Sequence, residues 1–381
     1  MFKIIHNKLT EIPEQFFLID CLTVLDFSFN QISKIPERIC NCTNLTEINF
    51  SNNKIKRLPL HLNNLVNIEH LIASDNAIEN LTHDIGSLKK LTKLDLSGNQ
   101  IKKIPFQFEN SMLDYMNLSN NQISDMAIDC FYNLSQVSMI DLRKNCLEEF
   151  YEFPRSPKLE TLQLANNKIK KCGNYHLSPN IITLDFKNNQ LEELTDEIFM
   201  LQNIKVLDLS NNKLQDLPNE LGCIKSLIKL HIQGNPLESI KTSIKEAGIE
   251  TLKKYLTGMI DQEELEQKEL ISKEITEQII EKKGHVRRHS KPRLDAEVTS
   301  SIIVNKPNVV QDNMHDKYFD NNFSANKKPS RIDMPIISGT IIKQEIADDD
   351  LLNTRKPENQ WEEYIRDNYN RRGDLRIMGQ G

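Results

Sequence analysis

Apolar residues recur along roughly the first 240 residues in a pattern tied to asparagine. Two distant segments place them at the same offsets, as Leu91, Leu94, Leu96, Asn99, Ile101 and Ile104, and as Ile204, Leu207, Leu209, Asn212, Leu214 and Leu217. Both read L-x-x-L-x-L-x-x-N-x-L-x-x-L, with Ile in place of some Leu residues. The L-x-L triplet has the alternation of a short strand that directs both apolar side chains inward. Each unit is therefore predicted to contain a short strand, a turn at the asparagine and a second apolar segment.

The asparagine sets the period of this pattern. It occurs eleven times at steps of 22 to 24 residues, at Asn7, Asn30, Asn53, Asn76, Asn99, Asn121, Asn145, Asn167, Asn189, Asn212 and Asn235. A fixed period of this length is typical of a solenoid, because one repeat cannot bury its own apolar face and stacking on its neighbours completes the core. We predict ten full repeats after an initial half-repeat that uses Asn7.

The residue types suit this architecture. An asparagine side chain both donates and accepts hydrogen bonds, so it can satisfy backbone groups in a turn that water does not reach. Ile-Pro or Leu-Pro pairs close several repeats, as at Ile104-Pro105 and Leu217-Pro218, where proline fixes φ and needs no acceptor. The strands are predicted to form one parallel, concave sheet that runs about 45 Å at a spacing of about 4.8 Å. Such a face suits a macromolecule better than a metabolite.

The repeat is the leucine-rich repeat consensus, and the chain resembles leucine-rich repeat proteins over roughly residues 1–257. Its period, its proline turns and its ending from Gly234 to Leu256 are similar to the intracellular, Ras-group type, the group of leucine-rich repeat-containing protein 40. Residues 80–82, 149–151 and 171–173 depart from the proline turn of that group. The resemblance implies a horseshoe fold, no catalytic activity and a role in assembling signalling proteins. By family analogy the partner is a small GTPase or a phosphatase.

Five segments are predicted along the chain. They are an N-terminal half-repeat cap at 1–21, ten leucine-rich repeats at 22–240, a C-terminal capping helix with an acidic helical extension at 241–283, a disordered linker with a basic stretch at 284–358, and a tail with a short amphipathic helix at 359–381. The capping helix follows from apolar residues at near-helical spacing. The disorder of the linker follows from its polar composition without periodicity. The predicted fold is therefore an α/β solenoid with a largely disordered tail.

The strand residues that alternate with the buried leucines should point to solvent on the concave face. Most are small or charged, but six are large or apolar: Phe29, His70, Ile72, Tyr115, Met139 and Arg143. Exposed aromatic and arginine side chains are typical anchors of protein interfaces. We expect these six residues to contribute to partner binding. The alternative is that some of them only pack beside one another on the sheet.

Composition and charge narrow the choice of compartment and partner. The net charge of -6 argues against a nucleic-acid partner, which needs a basic surface. No apolar run reaches the roughly 18 residues of a membrane span, and the N-terminus lacks the apolar run of a secretory signal. The seven cysteines are scattered, which suits a reducing compartment and small buried side chains. We expect a monomeric cytoplasmic protein, with a nuclear location as the alternative.

Catalytic motifs are absent from the sequence. It contains no phosphate-binding loop, dinucleotide fingerprint or H-E-x-x-H zinc motif, so no cofactor or metal is predicted and the protein is not expected to be an enzyme. Three hypotheses follow. The protein is a non-catalytic scaffold or adaptor that binds a signalling protein on its concave face, a regulatory subunit of a phosphatase or ubiquitin ligase, or a structural component of a cytoskeletal or ciliary assembly. Fold analogy alone does not decide among them.

The last 100 residues contain two further motifs. Ser290 follows Arg287-Arg288-His289, a spacing that resembles the sites of basophilic kinases, where phosphate would add about -1.5 to -2 of charge. A basic linker or a nuclear-import signal is the alternative. An amphipathic helix is predicted from Trp361, Tyr364, Ile365 and Tyr369. It would dock into a groove of a partner, dock onto the solenoid, or show only residual helicity.

Overall fold

A computed structural model describes residues 1–261 apart from 20, 110, 111, 152 and 174, together with 263, 266, 267 and 270. In chain order its strands are β1 (Phe2–Lys3), β2 (Val24–Asp26), β3 (Glu47–Asn49), β4 (His70–Ile72), β5 (Lys93–Asp95), β6 (Lys103–Ile104), β7 (Tyr115–Asn117), β8 (Asp125–Met126), β9 (Met139–Asp141), β10 (Glu149–Phe150), β11 (Thr161–Gln163), β12 (Lys171–Cys172), β13 (Thr183–Asp185), β14 (Val206–Asp208) and β15 (Lys229–His231). Two α-helices follow, α1 (Thr242–Glu246) and α2 (Ile249–Thr257). Short 3-10 helices occur at Glu14–Leu18, Glu37–Asn41, Leu62–Asn64, His83–Ile85, Tyr175–Leu177, Asp196–Met200 and Asn219–Cys223.

One strand from each repeat joins a single parallel sheet. Across the described residues this sheet has eleven strands in the order β1-β2-β3-β4-β5-β7-β9-β11-β13-β14-β15. Equivalent residues of successive repeats pair directly, so that Leu25 is opposite Ile48 and Leu184 is opposite Leu207. The remaining strands form two short parallel pairs, β6 with β8 and β10 with β12. The predicted parallel sheet with one strand per repeat is therefore present.

The core lies beneath this sheet and is continuous from repeat to repeat. The inward residues of the strands, such as Leu94 and Leu162, are fully buried. At the N-terminal end the apolar layer becomes aromatic, with the rings of Phe2 and Phe16 4.6 Å apart and those of Phe27 and Phe50 stacked at 5.8 Å. These rings fill the layer next to the initial half-repeat, whose strand β1 pairs with β2.

The asparagine of each full repeat joins that repeat to the one before it. Asn121 is buried. Its Nδ2 donates to the carbonyl oxygens of Leu96 and Leu118 at 3.0 and 3.1 Å, and its Oδ1 accepts the N–H of Ile101 at 3.0 Å. The same contacts recur from Asn30 to Asn235. The side chain therefore satisfies backbone groups of two successive turns, and we call this set the asparagine ladder.

A left-handed residue precedes Asn7 and every asparagine of the ladder. The eleven residues with positive φ at this position are His6, Phe29, Asn52, Asp75, Gly98, Asn120, Lys144, Asn166, Asn188, Asn211 and Gly234. Eight of them are Asn, Asp or Gly, the residue types that adopt this conformation most readily. At Gly98 a side chain would also overlap the carboxylate of Asp75 in the preceding repeat. The ladder therefore dictates the backbone conformation of the residue before it.

The C-terminal cap consists of two helices instead of the one that was predicted. Gly248, with φ at 92°, separates α1 from α2. Leu252 and Leu256 of α2 are buried and cover the 3-10 helix at Asn219–Cys223, where a side chain on Gly222 would overlap the carbonyl oxygen of Lys253. Most of the predicted acidic extension, and the predicted linker and tail at 284–381, lie outside the described residues.

The seven cysteines are all free thiols. Cys21 is exposed and Cys146 is partly exposed, and the other five are buried as predicted. Burial raises the pKa of Cys40 to about 11 and that of Cys172 to about 12. These two buried thiols are therefore protonated throughout the physiological range of pH.

Replacement of one ladder asparagine should destabilise the fold strongly. In Asn121→Ala the N–H of Ile101 loses its acceptor. The carbonyl oxygens of Leu96 and Leu118 each lose one of two donors and keep the other, the Nδ2 of Asn99 and of Asn145 respectively. A buried polar group left unpaired costs about 1–3 kcal/mol, so the free energy of unfolding should fall by about 1–3 kcal/mol. Urea unfolding measures the change. The exposed Asn63→Ala is the matched control, and equal effects of the two substitutions would contradict a structural role for the ladder.

Thiol reactivity should follow burial and pKa. The thiolate is the reacting species, so the raised pKa values of Cys40 and Cys172 should keep both thiols unreactive between pH 7 and pH 9. Exposed Cys21 should react with a maleimide first. Mass spectrometry after timed labelling locates the adducts, and labelling in urea is the control. Modification of Cys172 at the rate of Cys21 in the folded protein would be inconsistent with this packing.

Candidate partner-binding face

The outward side chains of the long sheet form rows that cross its strands. One row contains residues that pair directly in register, namely Glu47, His70, Lys93, Tyr115, Met139 and Thr161. The adjacent row includes Ile72, Asp95, Asn117 and Asp141. We call the outward surface formed by these rows the sheet face. Side chains of the two adjacent strands flank each outward side chain, so most outward side chains are half-buried.

Five of the six predicted contact residues lie on neighbouring strands. His70 and Ile72 are on β4, Tyr115 is on β7, Met139 is on β9 and Arg143 lies two residues after the end of β9. Strand β5 lies between β4 and β7 and supplies Lys93, which the sequence reasoning did not select. These six side chains, from His70 to Arg143, are called the central patch. It crosses four strands, or about 15 Å at a spacing of about 4.8 Å.

Tyr115 is held in place by its neighbours in the row. The Nζ atom of Lys93 lies 5.5 Å from the centroid of the Tyr115 ring, a distance at which a cation is attracted to an aromatic face. Burial, followed by the nearby carboxylates of Asp95 and Asp141, raises the pKa of the phenol. Tyr115 is therefore a neutral, positioned aromatic side chain at physiological pH.

Arg143 closes over the carboxylate of Asp141. Its Nη2 lies 2.6 Å from Oδ2, and its Nε contacts both carboxylate oxygens at 3.0 and 3.1 Å. The hydrogen bond to Asp141 is the main cause of a raised pKa of the guanidinium. Arg143 occupies the register position at which Ser97 and Ser210 donate to the aspartate two residues earlier. The ion pair orders Arg143 while leaving its guanidinium partly exposed.

Several outward positions are buried, contrary to the expectation that they face solvent. Asp141 is only 2% exposed, and Asp26 and Ser28 are also buried. Asp26 accepts hydrogen bonds from the N–H and the hydroxyl of Ser28. The carboxylate therefore folds against the end of its own strand, and the neighbouring strands cover it. An alternating pattern does not reveal this local hydrogen bonding.

Phe29 lies apart from the central patch. It occupies the left-handed position before Asn30, with φ at 57°, and is 45% exposed. Its ring stacks on that of His6, with centroids 4.2 Å apart and an interplanar angle of 18°. His6 occupies the equivalent position of the half-repeat. The sequence reasoning missed His6, although it lies one period before Phe29.

The two ends of the central patch differ in charge and profile. At one end His70 lies 3.9 Å from Glu47. Beyond the other end the outward residues Thr161, Thr183 and Val206 are short. There burial, together with the carboxylate of Asp208 on the next strand, raises the pKa of Asp185. The face therefore combines a central patch of long side chains with shorter side chains on the three strands that follow it.

The described part of the chain contains neither a candidate membrane span nor a candidate metal site. No helix there has the length and apolar character needed to cross a bilayer. His, Cys, Asp and Glu side chains do not gather there in groups that could hold a metal ion. The predicted phosphorylation site at Ser290 and the predicted docking residues Trp361, Tyr364, Ile365 and Tyr369 lie outside the described residues.

Comparison with known proteins identifies the same repeat. A family model described as leucine rich repeats (2 copies) matches residues 22–64 and 66–108, and one described as leucine rich repeat matches 111–169 and 179–237. Together they cover more than half of the chain. The matches bear out the predicted repeat and leave the Ras-group assignment a prediction.

Solved structures share the fold. A leucine-rich repeat protein of Leptospira interrogans is 27% identical with a TM-score of 0.52, over 60% of this chain and 59% of that one. The leucine-rich repeat ectodomain of the Arabidopsis receptor kinase HAESA, in complex with an N-terminally extended IDA peptide hormone ligand, is 25% identical with a TM-score of 0.51, over 61% and 41%. This chain therefore spans less than two thirds of either protein.

The left-handed residue before Asn145 offers a test of backbone strain. Lys144 has φ at 54°, and relieving such strain in a non-glycine residue is worth about 1 kcal/mol. Lys144→Asn should raise the free energy of unfolding by about 0.5–1 kcal/mol, because Asn tolerates this conformation. Lys168→Asn is the control, since Lys168 is exposed and has ordinary φ. Chemical denaturation compares the two variants, and a loss of stability in Lys144→Asn would contradict the strain.

Proposed function

Because the chain belongs to the leucine-rich repeat family, we propose that it is a non-catalytic scaffold whose sheet face binds a protein partner. Proteins of this family commonly serve as protein-interaction modules. The observation that carries the proposal is the position of Tyr115, Met139 and Arg143. Tyr115 and Met139 lie on β7 and β9, at the middle of the eleven described strands of the sheet, and Arg143 lies two residues after β9. Binding energy in protein interfaces concentrates near the centre, on tyrosine and arginine in particular.

The central patch is also ordered before any partner arrives. Lys93 holds the ring of Tyr115, and Asp141 holds the guanidinium of Arg143. An interface made of free, long side chains loses about 0.5–1.5 kcal/mol for each one that binding immobilises. Tyr115 and Arg143 are already held in position, so a partner that binds them loses less conformational entropy. Met139 lies beside Tyr115 in the same row and adds an adaptable apolar surface.

The length of the sheet face and the ligand of a similar protein both favour a polypeptide partner. The eleven described strands give a face of about 45–50 Å at about 4.8 Å per strand, which exceeds the length of a metabolite. The HAESA ectodomain binds a peptide hormone, which supports a polypeptide ligand. The family resemblance favours an intracellular signalling protein, with a small GTPase or a phosphatase as the first candidates. Seven free thiols support a reducing compartment such as the cytoplasm or nucleus.

Substitutions in the central patch should abolish partner binding without unfolding the chain. The full chain carrying Tyr115→Ala, Met139→Ala and Arg143→Gln should capture its partner at least ten-fold less well, because each anchor is worth more than about 1 kcal/mol. Gln is chosen at 143 because its amide can still donate to the buried Asp141. Quantitative affinity purification measures the loss, and thermal unfolding verifies the fold.

The matched control replaces three short residues of the same face, Thr161, Thr183 and Val206, by alanine. This variant should retain the partners of the unmodified chain. Undiminished capture by the central-patch variant would rule out the patch as the anchor. Equal losses in both variants would place the contact over the whole face and remove the special role of Tyr115.

A further inference from the structure

Across the described residues, the last strand of the long sheet, β15, has an open edge. In the preceding repeat Leu209 donates its N–H to the carbonyl oxygen of His231 at 2.8 Å, and Asn211 donates to that of Gln233 at 2.7 Å. Ile232 and Gly234 occupy the equivalent positions beside β15. Among the described residues neither N–H has an acceptor. The edge of β15 therefore presents two N–H groups, those of Ile232 and Gly234, that have no acceptor among the described residues.

The core is also incompletely covered at this edge. Inward residues such as Leu184 and Leu207 are fully buried, whereas the equivalent Leu230 is only half-buried. Helix α2 covers the 3-10 helix at Asn219–Cys223 and does not close the layer next to β15. A groove of about 470 Å³ remains between β15 and the two helices. Its apolar lining includes Leu230, Ile232, Ile249 and Leu252.

The outward side of the same strand carries two nitrogen-bearing side chains. Lys229 and His231 are both exposed. Within the described part of the chain no carboxylate lies within ion-pair distance of either. On the groove rim Lys245 and Glu246 balance each other in charge. An incoming strand would therefore meet apolar side chains on its inward side and a basic surface on its outward side.

We propose that β15 binds an extended, acidic segment of a partner protein, which joins the sheet in parallel as its next strand. The carbonyl oxygens of that segment would accept the N–H groups of Ile232 and Gly234, and its inward apolar residues would cover Leu230. Its outward residues would lie beside Lys229 and His231, where cross-strand pairs of opposite charge are favourable. Addition of a strand to an exposed sheet edge is a common mode of peptide recognition.

A second copy of this chain fits the edge less well. Its first strand β1 is also an edge of the sheet. In the register of the solenoid Lys3 is equivalent to Asp26, and His231 is equivalent to Asp208. Stacking β1 of one molecule on β15 of another would therefore place Lys3 beside His231 and close to Lys229. Lys3 and Lys229 would then lie near each other on the same face without an intervening carboxylate, and like charges destabilise a strand pair, so the charges favour an acidic partner of a different kind.

The test uses the full chain and a defined peptide. The probe is fluorescein-labelled Gly-Glu-Val-Glu-Ile-Glu-Gly, in which acidic and apolar residues alternate. Its controls are Gly-Glu-Glu-Val-Ile-Glu-Gly, with the same composition and no alternation, and the basic Gly-Lys-Val-Lys-Ile-Lys-Gly. Fluorescence anisotropy should show the alternating acidic peptide binding at least ten-fold more tightly than either control. Amide hydrogen exchange should slow at Ile232 and Gly234 in the complex.

Charge reversal on the protein tests whether the probe binds at the β15 edge or at another surface. Lys229→Glu with His231→Glu should weaken the acidic probe at least ten-fold and strengthen the basic one. Lys168→Glu, at an exposed position away from β15, should leave both affinities unchanged. The proposal would be overturned if the acidic probe did not bind, or if it bound both protein variants equally. Protection from exchange at residues away from β15 would also overturn it. Concentration-dependent self-association that the double variant abolishes would instead identify a second copy as the occupant and would overturn it equally.

Discussion

The asparagine ladder is the constraint on which the rest of this structure depends. Each side chain donates to the carbonyl oxygens of two successive turns and accepts an N–H from the earlier repeat, as at Asn99 and Asn189. These turn groups lie in the core, where water cannot replace the asparagine, and an unmet one costs about 1–3 kcal/mol. Because one amide must reach both turns, its position relative to the strand is fixed. The length of the period varies only by one residue on either side of 23, since loop length can change elsewhere.

The direction of the ladder makes the two ends of the solenoid different. Every amide reaches back to the preceding repeat, so Asn235 is satisfied although no repeat follows it. Asn7 belongs to the half-repeat, and among the described residues its Nδ2 donates only to the carbonyl oxygen of Ile5. The sheet has a further requirement at this end, because the residues just after each strand donate forward, as Leu209 does to His231. The C-terminal end therefore has a complete turn and an incomplete strand edge.

The sequence was sufficient to predict the ladder, the parallel sheet and the inward leucines, because each depends on a residue type at a fixed period. It was insufficient wherever a contact joins residues through local geometry. Asp141 is buried because Arg143 replaces the usual serine and folds back over it. Phe29 has no part in the central patch because it follows β2, two strands from β4, and its ring stacks on His6. The predicted capping helix is divided because Gly248 takes a positive φ. In each case the sequence pattern predicts which face of the element a residue lies on. It does not predict the side-chain contacts or the local backbone conformation.

The two proposed surfaces differ in what they recognise, and this difference matters for a scaffold. The central patch presents side chains, so its specificity depends on the shape of Tyr115, Met139 and Arg143. The edge at β15 presents backbone donors, so it selects an extended segment by hydrogen bonding and by the alternation of its charges. Strand β7 lies five strands from β15 in the sheet, or about 24 Å at about 4.8 Å per strand. A partner held by the patch therefore does not have to cover the edge. One solenoid has room to hold two polypeptides at once, one through its side chains and the other through its main chain.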